Sequence, residues 1–440
     1  MTHKNIDHYL KQYAEPESQQ LEGLTAQYRH CICIPAFNES PLFLNHLIHF
    51  INTQANTLAI VVLNRPDNIE DNSASDNHNC KQQLTHKLSI NWRNNNIQLH
   101  KAQNKSAILL VDRFDTGAAI AAKQGVGMAR KIAADIALQL INQQLISEPW
   151  IYSTDADVLL PDNYFDRSQS ANHKAQTAPK NIAAYILAYQ HIATGNKAID
   201  NATRLYEHRL NAYVDGLCLA NSPYAFQTLG STLCVHAKHY AMVRGFPKRA
   251  AGEDFYLLNK LRKTGIVVSL TTPTIQIESR ISHRTPFGTG TSVDSILAHS
   301  DPKQAAIFYH PQLFILLRQT LTCLEQLSSR LFINNEFNKQ KNNDWQQAIK
   351  NFTEWCIVEQ EEIISALTAI DFNSGWTHSL KNSRDAAQFK RQLEAWFDGF
   401  KTLKYLHALR DNATSKQLHN VSDQRYLELL AETAVTNPTF

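Results

Sequence analysis

Two aspartates separated by one residue follow a short run of apolar and aromatic side chains at 150–153. We expect that run to be a strand, so that Asp155 and Asp157 lie near its carboxyl end, where α/β sheets bind their ligands. Carboxylate oxygens in that position suit a hard divalent cation such as Mg²⁺ or Mn²⁺, which would hold a diphosphate. A solvated turn is the other interpretation, because Asp-x-Asp also occurs by chance.

A second acidic pair, Glu253 and Asp254, stands after Gly252 and before the apolar residues of a predicted helix. Acidic side chains at a helix start are stabilised by the backbone dipole, so a structural cap is one interpretation. A carboxylate there could equally accept a proton from a hydroxyl group as a general base. Since neighbouring helical residues diverge by about 100°, only one of the two can point squarely into a pocket.

Basic side chains and one histidine occur near these carboxylates in the sequence. The segment 279–284 follows a predicted strand and contains Arg280, His283 and Arg284, while Arg249 precedes the second acidic pair. A neutral imidazole could complete a metal site formed by two aspartates. The arginines could bind phosphate oxygens or remain solvated at the surface.

The segment 123–130 combines Gly125 and Gly127 with a basic residue at each end, Lys123 and Arg130. Glycines let a backbone approach a phosphate closely, and the basic residues add positive charge. Tight helix packing is the competing explanation for both glycines. The third glycine of the dinucleotide-binding fingerprint is missing, which disfavours a Rossmann dehydrogenase.

Short apolar runs alternate with amphipathic stretches from about residue 30, which indicates a mostly parallel α/β sheet flanked by helices. Strands are predicted at 31–34, 58–63, 108–111, 150–153, 182–189, 266–270 and 274–277. A long helix is predicted at about 118–143, and 67–79 is interpreted as a loop. After residue 304 the apolar positions follow a helical period, which predicts an all-helical C-terminal region.

The composition is that of a folded protein without a strongly charged partner surface. Among 440 residues, 43 basic and 40 acidic side chains give a formal net charge of +3, so nothing suggests a dedicated nucleic-acid or membrane-surface protein. Seven cysteines without zinc-type spacing and the absence of a signal peptide predict reduced thiols in a cytoplasmic protein. No uncharged apolar run approaches the ~20 residues that a transmembrane helix needs.

These motifs, in this order, resemble those of the family 2 glycosyltransferases and their relatives with the GT-A fold. The segment 33–39, Cys-Ile-Pro-Ala-Phe-Asn-Glu, resembles the family's first strand and the loop after it. The family's Lys-Gly-x-Gly-x-Ala-Arg segment is similar to 123–130, and its DxD metal motif is similar to 155–157. Its Glu-Asp acceptor-side motif resembles 252–254. The segment that supplies a histidine metal ligand in several relatives resembles 279–284. The second strand departs from the family, because 64–68 reads Asn-Arg-Pro-Asp-Asn instead of the usual Asp-Asp/Asn-Gly-Ser.

The resemblance covers about residues 30–290 and implies a GT-A, Rossmann-like domain. The expected organisation is an N-terminal extension at 1–29, the glycosyltransferase domain at 30–300 and a helical region at 301–440. The nucleotide-diphosphate sugar is expected to bind at Pro35, Ala36, Phe37, Asn38, Glu39, Asn64, Asp67, Lys123, Gly127, Arg130 and Asp155. A Mn²⁺ or Mg²⁺ ion is expected at Asp155, Asp157 and His283, and Arg249, Arg280 and Arg284 are candidates for contacts to phosphate or acceptor.

The reaction that the resemblance implies is a single displacement at the anomeric carbon, with transfer of the sugar to an acceptor hydroxyl. Asp254, with Glu253 beside it, is the candidate base of an inverting reaction, and the nearby arginines suggest an anionic acceptor. Three alternatives stay open: a retaining GT-A enzyme, a nucleotidyltransferase, and a non-catalytic GT-A-like binding module. The Pro-Ala-Phe-Asn at 35–38 argues against the nucleotidyltransferase, which would carry a glycine-rich loop there.

Overall fold

The computed structural model describes residues 2–70, 75–168, 181–281, 288–330, 345–350, 357–412 and 418–436. The chain divides into two compact units. The sheet unit comprises residues 1–203 and 226–294, and the helical unit comprises residues 204–225 and 295–440. Residues 1–29, expected to form an extension, lie within the sheet unit, whereas 204–225, expected in the glycosyltransferase domain, lie in the helical unit.

In the described part of the sheet unit, ten strands form one sheet. The strands are β1 (His30–Ala36), β2 (Thr57–Asn64), β3 (Ile90–Asn94), β4 (Ile97–Lys101), β5 (Ala107–Arg113), β6 (Trp150–Ser153), β7 (Val158–Leu159), β8 (Ile182–Ile192), β9 (Leu233–His236) and β10 (Ile266–Glu278). Their order across the sheet is β3-β4-β5-β2-β1-β6-β9-β8-β10-β7.

The sheet is mixed, so the prediction of a mostly parallel sheet was wrong. The neighbours β5, β2, β1 and β6 pair in parallel, as do β8 and β10. The other neighbouring pairs are antiparallel, because β9 runs against both β6 and β8, and β4 and β7 also run against their neighbours. Continuous apolar runs identify buried strands but not their direction, and the short strand β9, which runs against both of its neighbours, was not predicted.

Several element boundaries also differ from the prediction. The strands β3 and β4 form a hairpin, closed at Asn95 in a left-handed conformation (φ 48°), that was not predicted. The two strands expected at 266–270 and 274–277 are one strand, β10, whose register against β8 shifts between Ser269 and Thr274. Part of the segment interpreted as a loop at 67–79 is helical from Ser75.

The helices of the described residues follow in chain order. They are α1 (Thr2–Gln12), α2 (Leu42–Thr53), α3 (Ser75–Lys87), α4 (Gly125–Asn142), α5 (Lys197–Leu219), α6 (Ala237–Met242), α7 (Glu253–Arg262), α8 (Thr289–Leu297), α9 (Gln312–Arg330), α10 (Trp345–Lys350), α11 (Ile357–Ala369), α12 (Phe372–Lys381), α13 (Ala386–Trp396), α14 (Gly399–Asn412) and α15 (Asp423–Thr436). The helix α4 begins later than the predicted 118, because the chain turns there and Ile120 bridges to Pro66.

A buried polar network joins α1 to α4. The carboxylate of Asp135, on α4, accepts hydrogen bonds from the hydroxyls of Tyr9 and Tyr240 at 2.5 and 2.8 Å and from the backbone N–H of Glu15 at 2.8 Å. The ammonium group of Lys131 lies 2.8 Å from Asp135 Oδ2, the oxygen that also accepts from Glu15, whereas both tyrosine hydroxyls donate to Oδ1. Because a buried charge without partners is costly, these contacts attach the N-terminal segment firmly to α4.

The helical unit has an apolar core rich in aromatic side chains. Phe372, Trp376, Phe389 and Tyr405 are all fully buried in one cluster. Among the described residues after Glu278 there is no strand, only an isolated bridge between Phe308 and Val421, so the helical C-terminal region is confirmed. No helix in the described ranges is long and apolar enough to cross a membrane.

Candidate functional site

The loops that could carry chemistry leave the sheet at one edge, here called the carboxyl edge. The strands β1, β2, β5 and β6 are parallel, so their carboxyl ends meet there. Since β9 runs against both β6 and β8, the parallel pair β8 and β10 ends at the same edge. Loops at this edge are where α/β sheets usually bind ligands.

The first group of contacts, the Arg130 cluster, consists of Arg130, Ser153, Asp155 and Glu253. From α4, Arg130 donates through Nε to Glu253 Oε1 at 2.8 Å and through Nη1 to Ser153 Oγ at 2.9 Å. Its Nη2 contacts Asp155 Oδ1. The Arg130 side chain is only 4% exposed, and it thereby joins two acidic motifs that lie about a hundred residues apart in the sequence.

The charge of Arg130 is maintained by its partners. Burial lowers the pKa of this guanidinium, but the carboxylates of Asp155 and Glu253 outweigh that effect and raise it above its ordinary value. Since its N–H groups are engaged by protein atoms, Arg130 holds the two acidic motifs together. The sequence placed Arg130 among the donor-binding residues and did not indicate this burial.

Asp254 lies beside the Arg130 cluster, at the start of α7, and is half-buried, whereas Glu253 is buried. Its Oδ1 accepts a hydrogen bond from the backbone N–H of Phe255 at 2.7 Å. Burial and the negative charge of Glu253 raise the pKa of Asp254 from 3.8 to about 7, although Arg130 acts in the opposite direction. A carboxyl group with this pKa exchanges its proton near neutral pH, as a general base must.

The second group of contacts, the Arg280 cluster, consists of Glu39, Asp157 and Arg280. The guanidinium of Arg280, just after β10, donates to both carboxylate oxygens of Glu39, at 2.8 and 3.0 Å. Its Nη2 also lies 2.7 Å from Asp157 Oδ2. The exposed fractions of the three side chains are 33% for Arg280, 16% for Asp157 and 13% for Glu39, so the cluster borders on solvent.

The loop after β1 is held by asparagines. The backbone N–H of Asn38 donates to Asn77 Oδ1 at 2.9 Å, and the side-chain amide of Asn77 donates to the carbonyl of Asn64 at 3.0 Å. Asn38 itself has a left-handed backbone (φ 49°). Asn77 is fully buried on α3, in the segment interpreted as a loop, and only the local abundance of asparagine could have suggested it.

The remaining residues expected to bind the donor have different surroundings. Pro35 and Ala36 are buried at the end of β1, and Phe37, next to them, is half-buried. Asp67 accepts a hydrogen bond from the backbone N–H of Ala122 at 2.9 Å, which ties the loop after β2 to the turn before α4. Lys123, in that turn, is exposed.

Gly127 lies against backbone rather than at an open surface. Its N–H donates to the carbonyl of Arg249 at 3.0 Å, and a Cβ at this position would lie 2.5 Å from the carbonyl oxygen of Pro247. The structure therefore favours the packing explanation for this glycine. The exposed side chain of Arg249 stacks on Tyr256, 4.0 Å from the ring centroid.

The carboxylates of Asp155 and Asp157 provide oxygen atoms, the ligands that Mg²⁺ and Mn²⁺ prefer. The exposed fractions of these side chains, 36% and 16%, leave an ion access to them. Within the described ranges, no group of three or more His, Cys, Asp or Glu side chains is placed to hold a metal ion. His283 and Arg284, the other residues expected at this site, lie outside the described residues.

A cavity of about 150 Å³ opens beside Asp155. Its lining is mostly apolar and comes from β1, α2 and the segment 154–162, with Phe43, Leu47 and Phe50 among the contributors. The volume is comparable to that of cavities that accept a six-membered ring. The sequence had not indicated this space.

No known family model matches the chain, and no curated protein matches its sequence. Among solved structures, it is similar to the mannosyltransferase PcManGT from Pyrobaculum calidifontis in complex with GDP-Man and Mn²⁺, at 14% identity over 99% of this chain and 88% of that chain, with a TM-score of 0.35. It is also similar to a mycobacterial protein, at 11% identity over 69% and 77% of the two chains, with a TM-score of 0.30. Neither TM-score establishes a shared fold.

Proposed function

We propose that this chain is a metal-dependent glycosyltransferase that moves a sugar from a nucleotide-diphosphate donor to an acceptor hydroxyl at the carboxyl edge. The observation that carries the proposal is the Arg130 cluster. It brings the Asp155 loop next to the Glu253–Asp254 pair, so that a leaving group bound at Asp155 and a base at Asp254 would adjoin. Transfer of a sugar requires these two functions together.

The donor would bind along the loops after β1, β2 and β6. Asp155 and Asp157, with His283 as the candidate third ligand, would hold Mn²⁺ or Mg²⁺, which when bound would neutralise the developing charge of the diphosphate. Pro35, Ala36 and Phe37 would contact the nucleotide. The hydrogen bonds of Asn38 and Asn64 to Asn77 support this role indirectly, because they fix the loop in place.

The base would be Asp254 and not Glu253. The carboxylate of Glu253 is buried and engaged by Arg130, whereas Asp254 is half-buried. The negative charge of Glu253 helps to raise the pKa of Asp254 to about 7, which suits proton abstraction from a hydroxyl near neutral pH. A base on the acceptor side leads to inversion at the anomeric carbon. Arg249, exposed and close in sequence to Asp254, is the candidate contact for an anionic acceptor.

The proposal is tested by hydrolysis of nucleotide sugars without an acceptor, since water can replace the acceptor hydroxyl. A panel of UDP-, GDP-, ADP-, CDP- and dTDP-sugars is incubated with the protein, with and without Mn²⁺. We expect release of sugar from at least one donor only when Mn²⁺ is present, and its loss in Asp157→Asn. The matched control Asp371→Asn, which removes a carboxylate from the helical unit, should retain the activity. A protein that hydrolyses no member of the panel would behave as a binding module and contradict the proposal.

A further inference from the structure

We propose that Arg280 is an exchangeable counter-ion. Its guanidinium covers Asp157 in the free protein and is released toward the donor's diphosphate when Asp157 binds a divalent cation. Glu39 is the positioning residue that keeps Arg280 at the site through this exchange. The inference rests on the proposed function, because it concerns the same donor site.

The geometry of the Arg280 cluster makes the guanidinium and a cation competitors for Asp157. One nitrogen, Arg280 Nη2, lies 3.0 Å from Glu39 Oε1 and 2.7 Å from Asp157 Oδ2. Two carboxylates, those of Glu39 and Asp157, therefore share the same positively charged nitrogen, Arg280 Nη2. A divalent cation bound to Asp157 would face that charge at short range, and two positive charges repel strongly at such a distance.

Arg280 is held more firmly by Glu39 than by Asp157, so we expect the contact to Asp157 to break first. Two hydrogen bonds join its guanidinium to Glu39, but a single contact joins it to Asp157. If the Asp157 contact is lost, Glu39 still holds the guanidinium at the carboxyl edge. A guanidinium carries five N–H donors, and its planar fork matches phosphate oxygens, so the released N–H can bind a diphosphate.

Partial exposure makes this exchange feasible at Arg280. Its side chain is 33% exposed and that of Asp157 is 16% exposed, so water reaches both ions as the contact opens, and an ion pair that borders on solvent is less costly to separate than a buried one. By contrast, Arg130 is 4% exposed, and breaking its contacts would leave buried charges without partners. The exchange is therefore assigned to Arg280 and not to Arg130.

The test measures two affinities in the full-length protein. Binding of Mn²⁺ alone is followed by the electron paramagnetic resonance signal of the free ion. In Arg280→Met it should become about tenfold tighter, because the competing positive charge is removed. The matched control Arg93→Met removes an equal charge from exposed β3 and should change the Mn²⁺ affinity by less than about twofold. Binding of UDP, GDP, ADP and CDP at saturating Mn²⁺ is then measured calorimetrically, and for the diphosphate that binds best Arg280→Met should weaken the affinity about tenfold.

Two further variants separate this exchange from a merely structural role. Arg280→Lys keeps the charge but not the planar fork, so it should retain the wild-type Mn²⁺ affinity and still bind the diphosphate less tightly. Glu39→Gln should weaken diphosphate binding without tightening Mn²⁺ binding. One outcome would contradict the exchange alone: Asp157→Asn abolishes Mn²⁺ binding, but folded Arg280→Met binds Mn²⁺ with the wild-type affinity. The metal site at Asp157 would then be supported, and the proposed exchange of Arg280 would be wrong. If neither wild type nor Arg280→Met binds Mn²⁺, the exchange and the metal part of the proposed function both fail.

Discussion

The Arg130 cluster and the Arg280 cluster lie at the same carboxyl edge and use the same chemistry, a guanidinium between two carboxylates. They differ in exposure: the Arg130 side chain is nearly inaccessible to solvent, whereas a third of the Arg280 side chain is exposed. One holds distant parts of the chain together, and the other faces the region where a donor would bind. The same three residue types, an arginine with one aspartate and one glutamate, can therefore have different roles, which depend on how far solvent reaches them.

The difference extends to the residues that each arginine influences. Arg130 donates a hydrogen bond to the buried carboxylate of Glu253, so Asp254 is the more accessible member of the acidic pair. Arg280 is paired with Asp157, the second aspartate of the Asp-x-Asp motif. If the proposed function is correct, the buried cluster would position Asp254 as the base, and the partly exposed cluster would lie at the donor site.

The largest expected effect concerns stability. Arg130→Met leaves the carboxylates of Asp155 and Glu253 without their guanidinium, and the loss of one member of a buried ion pair costs about 3–5 kcal/mol. Arg280→Met, at the partly exposed cluster, should lower the free energy of unfolding by less, about 1 kcal/mol. Urea denaturation of the two variants measures both values. Equal losses would show that exposure does not distinguish the clusters.

A second large effect is expected on catalysis. Asp254→Asn removes the proton acceptor but keeps a side chain of similar shape that also suits a helix start. Turnover should fall on the order of 10²-fold or more, while Mn²⁺-dependent nucleotide binding persists. Initial rates of sugar transfer and the anomeric configuration of the product provide the measurement. Near-normal turnover, or a product that retains the donor's configuration, would exclude Asp254 as the base of an inverting reaction.

The pH dependence should follow the raised pKa of Asp254. A base acts when it is deprotonated, so the rate should increase as the pH rises through about 7 and then level off. Stability should change in the opposite direction, because the folded protein binds this proton more tightly than the unfolded chain does. The contribution of Asp254 is therefore most favourable below pH 4 and declines as the pH rises to about 7.

Melting temperatures of wild type and Asp254→Asn at pH 5 and pH 8 test this linkage. The variant should gain stability relative to wild type as the pH is raised, since the amide carries no charge in either state. A difference between the two proteins that does not depend on pH would contradict the shifted pKa.

The sequence predicted those parts of the fold that hydrophobic pattern alone determines. The central strands β1, β2, β5 and β6 are continuous apolar runs, and helical periodicity marked the C-terminal region. The strand β9 and the hairpin of β3 and β4 were not predicted, because strand pairing depends on contacts between distant segments. A short or half-exposed strand carries little of that information in its own residues.

At the site, the sequence identified residue types but not their partners. Asp155, Asp157 and Asp254 were selected because carboxylates near strand and helix ends suit metal binding and base chemistry. The burial of Arg130 could not be inferred from its position after two glycines, since its three side-chain partners come from two other segments. The pairing of Arg280 with Glu39 joins residues more than two hundred positions apart, which no local motif reveals.

The most direct test of a donor site at the carboxyl edge is a thermal-shift panel of nucleoside diphosphates, UDP, GDP, ADP, CDP and dTDP, with and without Mn²⁺. A ligand that binds only the folded protein raises its melting temperature by mass action. We predict that at least one diphosphate stabilises wild type only when Mn²⁺ is present, and that Asp157→Asn abolishes this stabilisation. Stabilisation that is equal with and without Mn²⁺, or that persists in Asp157→Asn, would contradict the proposed metal-dependent donor site.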